Sequence, residues 1–90
     1  MGRPTRITAL DELGPTWKLG GWADVPGLHL VLDRGVQVGW VEYGVGGVNR
    51  WLAIAQDSYL ADGESDQPMW HTTERLAACT VRAAISQGMI

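Results

Sequence analysis

Two runs rich in β-branched and aromatic residues, Val36-Gln-Val-Gly-Trp-Val-Glu-Tyr43 and Asn49-Arg-Trp-Leu-Ala-Ile-Ala-Gln56, flank the glycine-rich break Gly44-Val-Gly-Gly-Val48. Glycine reaches positive φ without the clash that a Cβ suffers, so the break reverses the chain tightly and the two runs pair as a β-hairpin. Upstream, Leu28-His-Leu-Val-Leu-Asp33 alternates, with Leu28, Leu30 and Leu32 on one face and His29, Val31 and Asp33 on the other. Asp33-Arg-Gly35 supplies a tight turn between that run and the hairpin. Three strands, 28–33, 36–43 and 49–56, therefore form an antiparallel meander over 28–56.

After the meander the period changes. Residues 57–71 begin as an acidic loop holding Asp57, Asp62, Glu64 and Asp66, with a short extended piece near Met69-Trp70. A helix is expected over 72–87: Thr72 caps it, Glu74 in the first turn suits its dipole and Gly88 ends it. At 100° per residue, Ala77, Ala78, Val81, Ala84 and Ile85 fall on one arc, with Arg75, Arg82 and Ser86 opposite. The expected fold is α+β, a three-stranded antiparallel β-meander packed against one C-terminal helix.

The N-terminal third is read less regularly. Residues 1–6 are expected to be disordered, and Thr8–Leu13 to form a helical turn with Thr8 as cap and Asp11 in the capping-box position. Thr16–Leu19 suits a short extra strand ended by Gly20-Gly21, and Trp22–Gly27 a connection with a Pro26-Gly27 turn.

Ninety residues make a single small domain, 1–90, with little room for a deep active site. No apolar run approaches the roughly 20 residues of a membrane span, and no apolar segment follows the basic N-terminus, so a soluble, cytoplasmic protein without a secretory signal is expected. The lone Cys79 has no disulfide partner and is expected as a small buried hydrophobe on the helix. A net charge of −3 and a pI near 5.1 disfavour nonspecific nucleic-acid binding, which depends on cations meeting phosphates.

The screen for chemistry yields no catalytic, cofactor-binding or metal-binding residue. His29 and His71 have no nucleophile signature beside them. Asp62-Gly-Glu-Ser-Asp66 spaces its carboxylates like a calcium loop, but Thr73 occupies the position that needs a bidentate Glu. Gly44–Gly47 lacks the Lys and the helix of a phosphate loop. No small-molecule substrate is evident, and a non-enzyme without cofactor is expected.

The composition does carry one anomaly, five Trp and no Phe. Trp can fill a core as Phe does, but Trp, Tyr and Arg also dominate binding hot spots. Trp22, Trp40, Tyr43, Arg50, Trp51 and Tyr59 are the candidate partner-binding residues. Alternation sends Val36, Val38 and Trp40 to one face of the second strand and Val41 and Tyr43 to the other. A single helix covers one face, and the segment around Leu13, Trp17 and Leu19 covers the other only in part, so an apolar patch is expected to bind a second copy or a protein partner.

The run from a strand through Val38–Glu42, a glycine loop, Arg50–Ala53, a polar loop and a Thr-headed Ala-rich helix resembles small uncharacterised proteins of actinobacteria and their phages. Its layout is also similar to the sheet-plus-helix modules of integrase arms and AP2 domains, and to HicB-like antitoxins, though it lacks the proline and glycine signature of their third strand. The arm-type resemblance implies a sheet face entering the DNA major groove with Arg34, Arg50 and either Gln37 or Gln56. The function expected is a non-enzymatic protein-binding or regulatory module of phage-accessory type, with sequence-specific DNA binding by the meander as the alternative.

Overall fold

The computed structural model describes residues 3–55, 58–60 and 69–86. Seven strands and one helix follow in the order β1 (Arg6–Ala9), β2 (Trp17–Trp22), β3 (Val25–Asp33), β4 (Val36–Tyr43), β5 (Trp51–Ala55), β6 (Ser58–Tyr59), β7 (Trp70–His71) and α1 (Glu74–Ser86). All strands join one antiparallel sheet in sequence order, with β6 and β7 both paired to β5. The sheet corrects the three-stranded expectation, although a sheet with one C-terminal helix stands.

The β3–β4 and β4–β5 hairpins are those expected. Arg34 (φ 55°) and Gly35 (φ 78°) both take the left-handed conformation of a two-residue turn whose twist matches its strands. The β4–β5 reversal is a 3-10 turn at Val45–Gly47, entered through Gly44 at φ 79°.

The corrections lie upstream. Thr8–Leu13 is not a helical turn led by Thr8, because Arg6–Ala9 pairs with Gly21–Lys18 as an edge strand. β2 runs through Gly20-Gly21, where glycine serves close approach: a Cβ on Gly20 would lie 3.0 Å from Pro4 Cγ and 3.3 Å from Leu32 Cδ1. The turn falls at Ala23-Asp24, leaving Pro26 and Gly27 inside β3. A register irregularity there leaves them without partners on β2, so Pro26 forfeits no ladder bond on that side. Residues 3–6 are ordered, with the Thr5 N–H donating to Gly21 O at 2.9 Å and Trp22 Nε1 to Arg3 O at 2.9 Å; residues 1–2 lie outside the described residues.

Opposite β5, the edge is made of two pieces. Leu60 N–H donates to Ala53 O (2.9 Å) and Met69 N–H donates to Leu60 O (3.1 Å). β6 and β7 are thus two halves of one edge position that meet opposite Ala53 through Leu60 and Met69. The expected acidic loop falls largely on residues 61–68, which, like Gln56, Asp57 and Gly88, lie outside the described residues.

α1 is capped one residue later than expected: Thr73 Oγ1, rather than Thr72, accepts from Leu76 N–H at 3.2 Å. Ala77, Ala78, Val81 and Ala84 are buried and Arg75, Arg82 and Ser86 exposed, as the periodicity predicts. Cys79 is exposed, because it falls one residue past the buried pair Ala77-Ala78 and turns to solvent.

The helix lies on one sheet face, over Val31, Val41, Ala53 and Ala55, and the β1–β2 connection adds Leu10 and Leu13 to that core. The approach is close at Gly39, whose hypothetical Cβ would meet Ile54 O at 2.6 Å and Val81 Cγ1 at 2.9 Å. Arg75 forms an ion pair with Glu12, tying the helix start to the β1–β2 connection. The guanidinium holds the Glu12 carboxyl below its ordinary range.

Candidate functional site

Residues directly opposite across antiparallel strands share a face, so the register assigns every position to one side of the sheet. Gly21, His29, Val41 and Ala53 form one row, and Tyr43, Trp51 and His71 the next, both on the helix side. On the other side Ile7, Gly20, Leu30, Trp40 and Ile54 line up across five strands. Leu28, Glu42, Leu52 and Trp70 form a parallel row beside them.

This register divides the expected recognition residues. Trp40 stands on the helix-free face, half-buried in the middle row. Tyr43 and Trp51 stand on the helix side, where the Trp51 ring lies 5.4 Å from both Tyr43 and His29 in tilted contacts. Trp51 also packs against the core. Trp22 is half-buried at the end of β2 with its indole N–H spent on Arg3 O, and Arg50 is exposed before β5. Tyr59 takes the register position opposite Ile54, and its side chain lies outside the described residues. The six do not form one surface.

Val38 also departs from expectation. A bulge opposite Leu32 lets it pack toward the core rather than beside Trp40, while Val36 is 63% exposed.

The helix-free face is an apolar plate that simple alternation foreshadows. Leu28, Leu30, Trp40 and Trp70 are half-buried, and between them Leu52 and Ile54 are nearly closed off from water without belonging to the helix-side core. Pro4 fills the hollow that Gly20 leaves in the middle row. The polar residues set in this face are Lys18 and Gln37 near one end and Glu42 near the other. The leucines lie outside the expected recognition set because hot-spot chemistry favours Trp, Tyr and Arg and under-represents Leu. Their signal is the alternation of large and small in Leu28–Leu32 and Trp51–Ala55.

On the helix side, His71 Nε2 lies 3.0 Å from Thr80 Oγ1, a hydrogen bond that a neutral imidazole makes in either tautomer. Partial burial pushes the His71 pKa below its ordinary value. Among the described residues no three His, Cys, Asp or Glu side chains converge as a metal site, and no helix is long and apolar enough to cross a membrane. No family model, no curated protein and no solved structure matches the chain.

Proposed function

We propose that the chain is a small non-enzymatic protein-binding module of the accessory kind, acting through the helix-free face of its sheet. One observation carries this reading: large apolar side chains stand on both faces of the sheet, while the helix covers one of them. The covered face packs Leu19, Val31, Val41, Ala53 and Ala55 against the helix and against Leu10 and Leu13, whereas the helix-free face carries Leu28, Leu30, Trp40 and Trp70, each partly exposed among the described residues. A sheet complete in two layers would cover its bulkiest side chains, since apolar area removed from water is what burial rewards. An open apolar plate with a polar rim is the anatomy of a contact surface.

DNA reading is the weaker alternative for this face. Lys18 is the cation set into it and Glu42 stands on the same face, while Arg34 and Arg50 sit in turns at opposite ends of the sheet. Phosphate neutralisation needs clustered cations.

The test is co-purification from the source cells with wild type, Leu30→Asp and Arg82→Ala. Loss of one specific partner with Leu30→Asp alone is expected. A partner retained by a folded Leu30→Asp variant refutes this face as the contact.

A further inference from the structure

We infer that the occupant of the helix-free face is a second copy of this chain, packed sheet to sheet across a two-fold axis that pairs Lys18 of each copy with Glu42 of the other. This rests on the protein-binding reading above and narrows it to one partner.

The charge placement is self-complementary. Lys18 on β2 lies opposite Leu32, and Glu42 on β4 lies opposite Leu28, so the two flank Leu30 at equal steps along and across the sheet. With strands about 4.8 Å apart and about 3.3 Å per residue, the two charges sit about 16 Å apart with Leu30 midway. A half-turn about an axis through Leu30, lying between the sheets and perpendicular to the Lys18–Glu42 line, exchanges the two positions. Leu30 then meets Leu30, and each Lys18 stands over the other copy's Glu42, giving two opposite-charge pairs from one interface. The strands of the two copies cross at about 70°, near the orthogonal class of sheet packing. Among the described residues neither Lys18 nor Glu42 has an ion-pair partner within its own chain.

Size agrees with a weak, reversible association. Leu52 and Ile54 on β5 are already nearly closed off from water, so the accessible plate spans four strands by about five residues, or roughly 19 by 16 Å, about 300 Å² of footprint per copy. Doubled, that is about 600 Å² before corrugation by side chains, below the roughly 1,000 Å² of stable specific interfaces, so a dissociation constant in the high micromolar range is expected rather than an obligate dimer.

The test is sedimentation velocity on the full chain from about 1 to about 500 μM, with circular dichroism to confirm each variant's fold. Wild type should pass reversibly from monomer to dimer across that range. Lys18→Glu and Glu42→Lys each place like charges together twice and should weaken the dimer about tenfold or more, whereas the double swap should restore it. A dimer indifferent to both single swaps overturns the proposed geometry. A chain that stays monomeric throughout overturns the second-copy partner. In that case, binding of an apolar fluorescent dye that Leu30→Lys abolishes would leave the open-face reading standing, and absence of dye binding would end both.

Discussion

Replacing Gly39 with alanine tests how closely the helix is seated on the sheet. The added methyl would fall 2.6 Å from Ile54 O and 2.9 Å from Val81 Cγ1. The first neighbour is the backbone carbonyl of the adjoining strand, which cannot rotate away, and the second belongs to a side chain 0% exposed in the core. Overpacking a tight core typically costs about 1–3 kcal/mol, and two contacts this short, one to backbone, place Gly39→Ala near the top of that range. Alanine's smaller unfolded-state entropy returns about 0.5–1 kcal/mol, leaving a net loss of about 2 kcal/mol. For a domain of this size that lowers the Tm by about 8–16 °C.

Gly27→Ala is the matched control in the same sheet. Its Cβ would meet Tyr43 O at an ordinary 3.6 Å, so stability should change by no more than about 0.5 kcal/mol. Combining Gly39→Ala with Val81→Ala adds a second readout. The new methyl enters space vacated by the valine, so the double variant should be more stable than the sum of single effects by about 1 kcal/mol. Urea unfolding of wild type and the four variants measures all of this. A Gly39→Ala midpoint equal to wild type, or strict additivity with Val81→Ala, would refute the close seating of α1.

Ala84→Arg should abolish folding or destabilise severely, because Ala84 is 4% exposed against the sheet, while Arg82→Ala on the exposed arc should shift the Tm negligibly. Above the ordinary imidazole value of 6.5 His71 is neutral in both states; as pH falls through it, the unfolded chain takes up a proton that the half-buried ring resists. Stability should therefore fall as pH drops through 6.5 and level off below the lowered folded-state pKa, and His71→Gln should flatten that slope in urea titrations. Gel shifts with random duplex DNA at physiological salt should show no binding, and micromolar affinity there would revive the DNA-reading alternative.

Much of the central sheet and the helix was legible because period and side-chain chemistry agreed there. Leu28–Asp33 alternates, Asp33-Arg-Gly35 turns, and the arc of Ala77, Ala78, Val81 and Ala84 is the one buried. The N-terminal strands were not legible for a different reason in each case. Arg6–Ala9 is four exposed residues with no alternation to betray it. Gly20-Gly21 suggests a stop, whereas it spares space for Pro4 and for His29 across the ladder. Pro26-Gly27 suggests a turn, and a bulge absorbs it. The candidate site was half legible: counting faces requires an open apolar side, but only the register shows that Trp40 and the pair Tyr43–Trp51 stand on opposite sides.

The small side chains that α1 contributes to the core set which part of the fold opens first. α1 buries Ala77, Ala78, Val81 and Ala84, three single methyls and one valine. At about 0.8 kcal/mol per methyl-sized group, those side chains contribute roughly 5 kcal/mol, to which partly buried Ile85 adds a fraction, and an extended-chain reference makes that an upper bound. β3 and β4, in contrast, are paired on both edges and carry Val31 and Val41 on one face with Leu30 and Trp40 on the other. The helix should therefore detach at lower free energy than the central strands separate. Native-state hydrogen exchange across low urea concentrations should find residues 78–86 exchanging through a sub-global opening while the amides of β3 and β4 exchange only on global unfolding. A partner on the helix-free face should slow exchange in the strands and leave the helix opening unchanged, because it touches neither α1 nor the face beneath it. Helix amides as protected as those of β3 and β4 would show that α1 is held by more than its small side chains, and the inferred weakness of the covered face would fall with it.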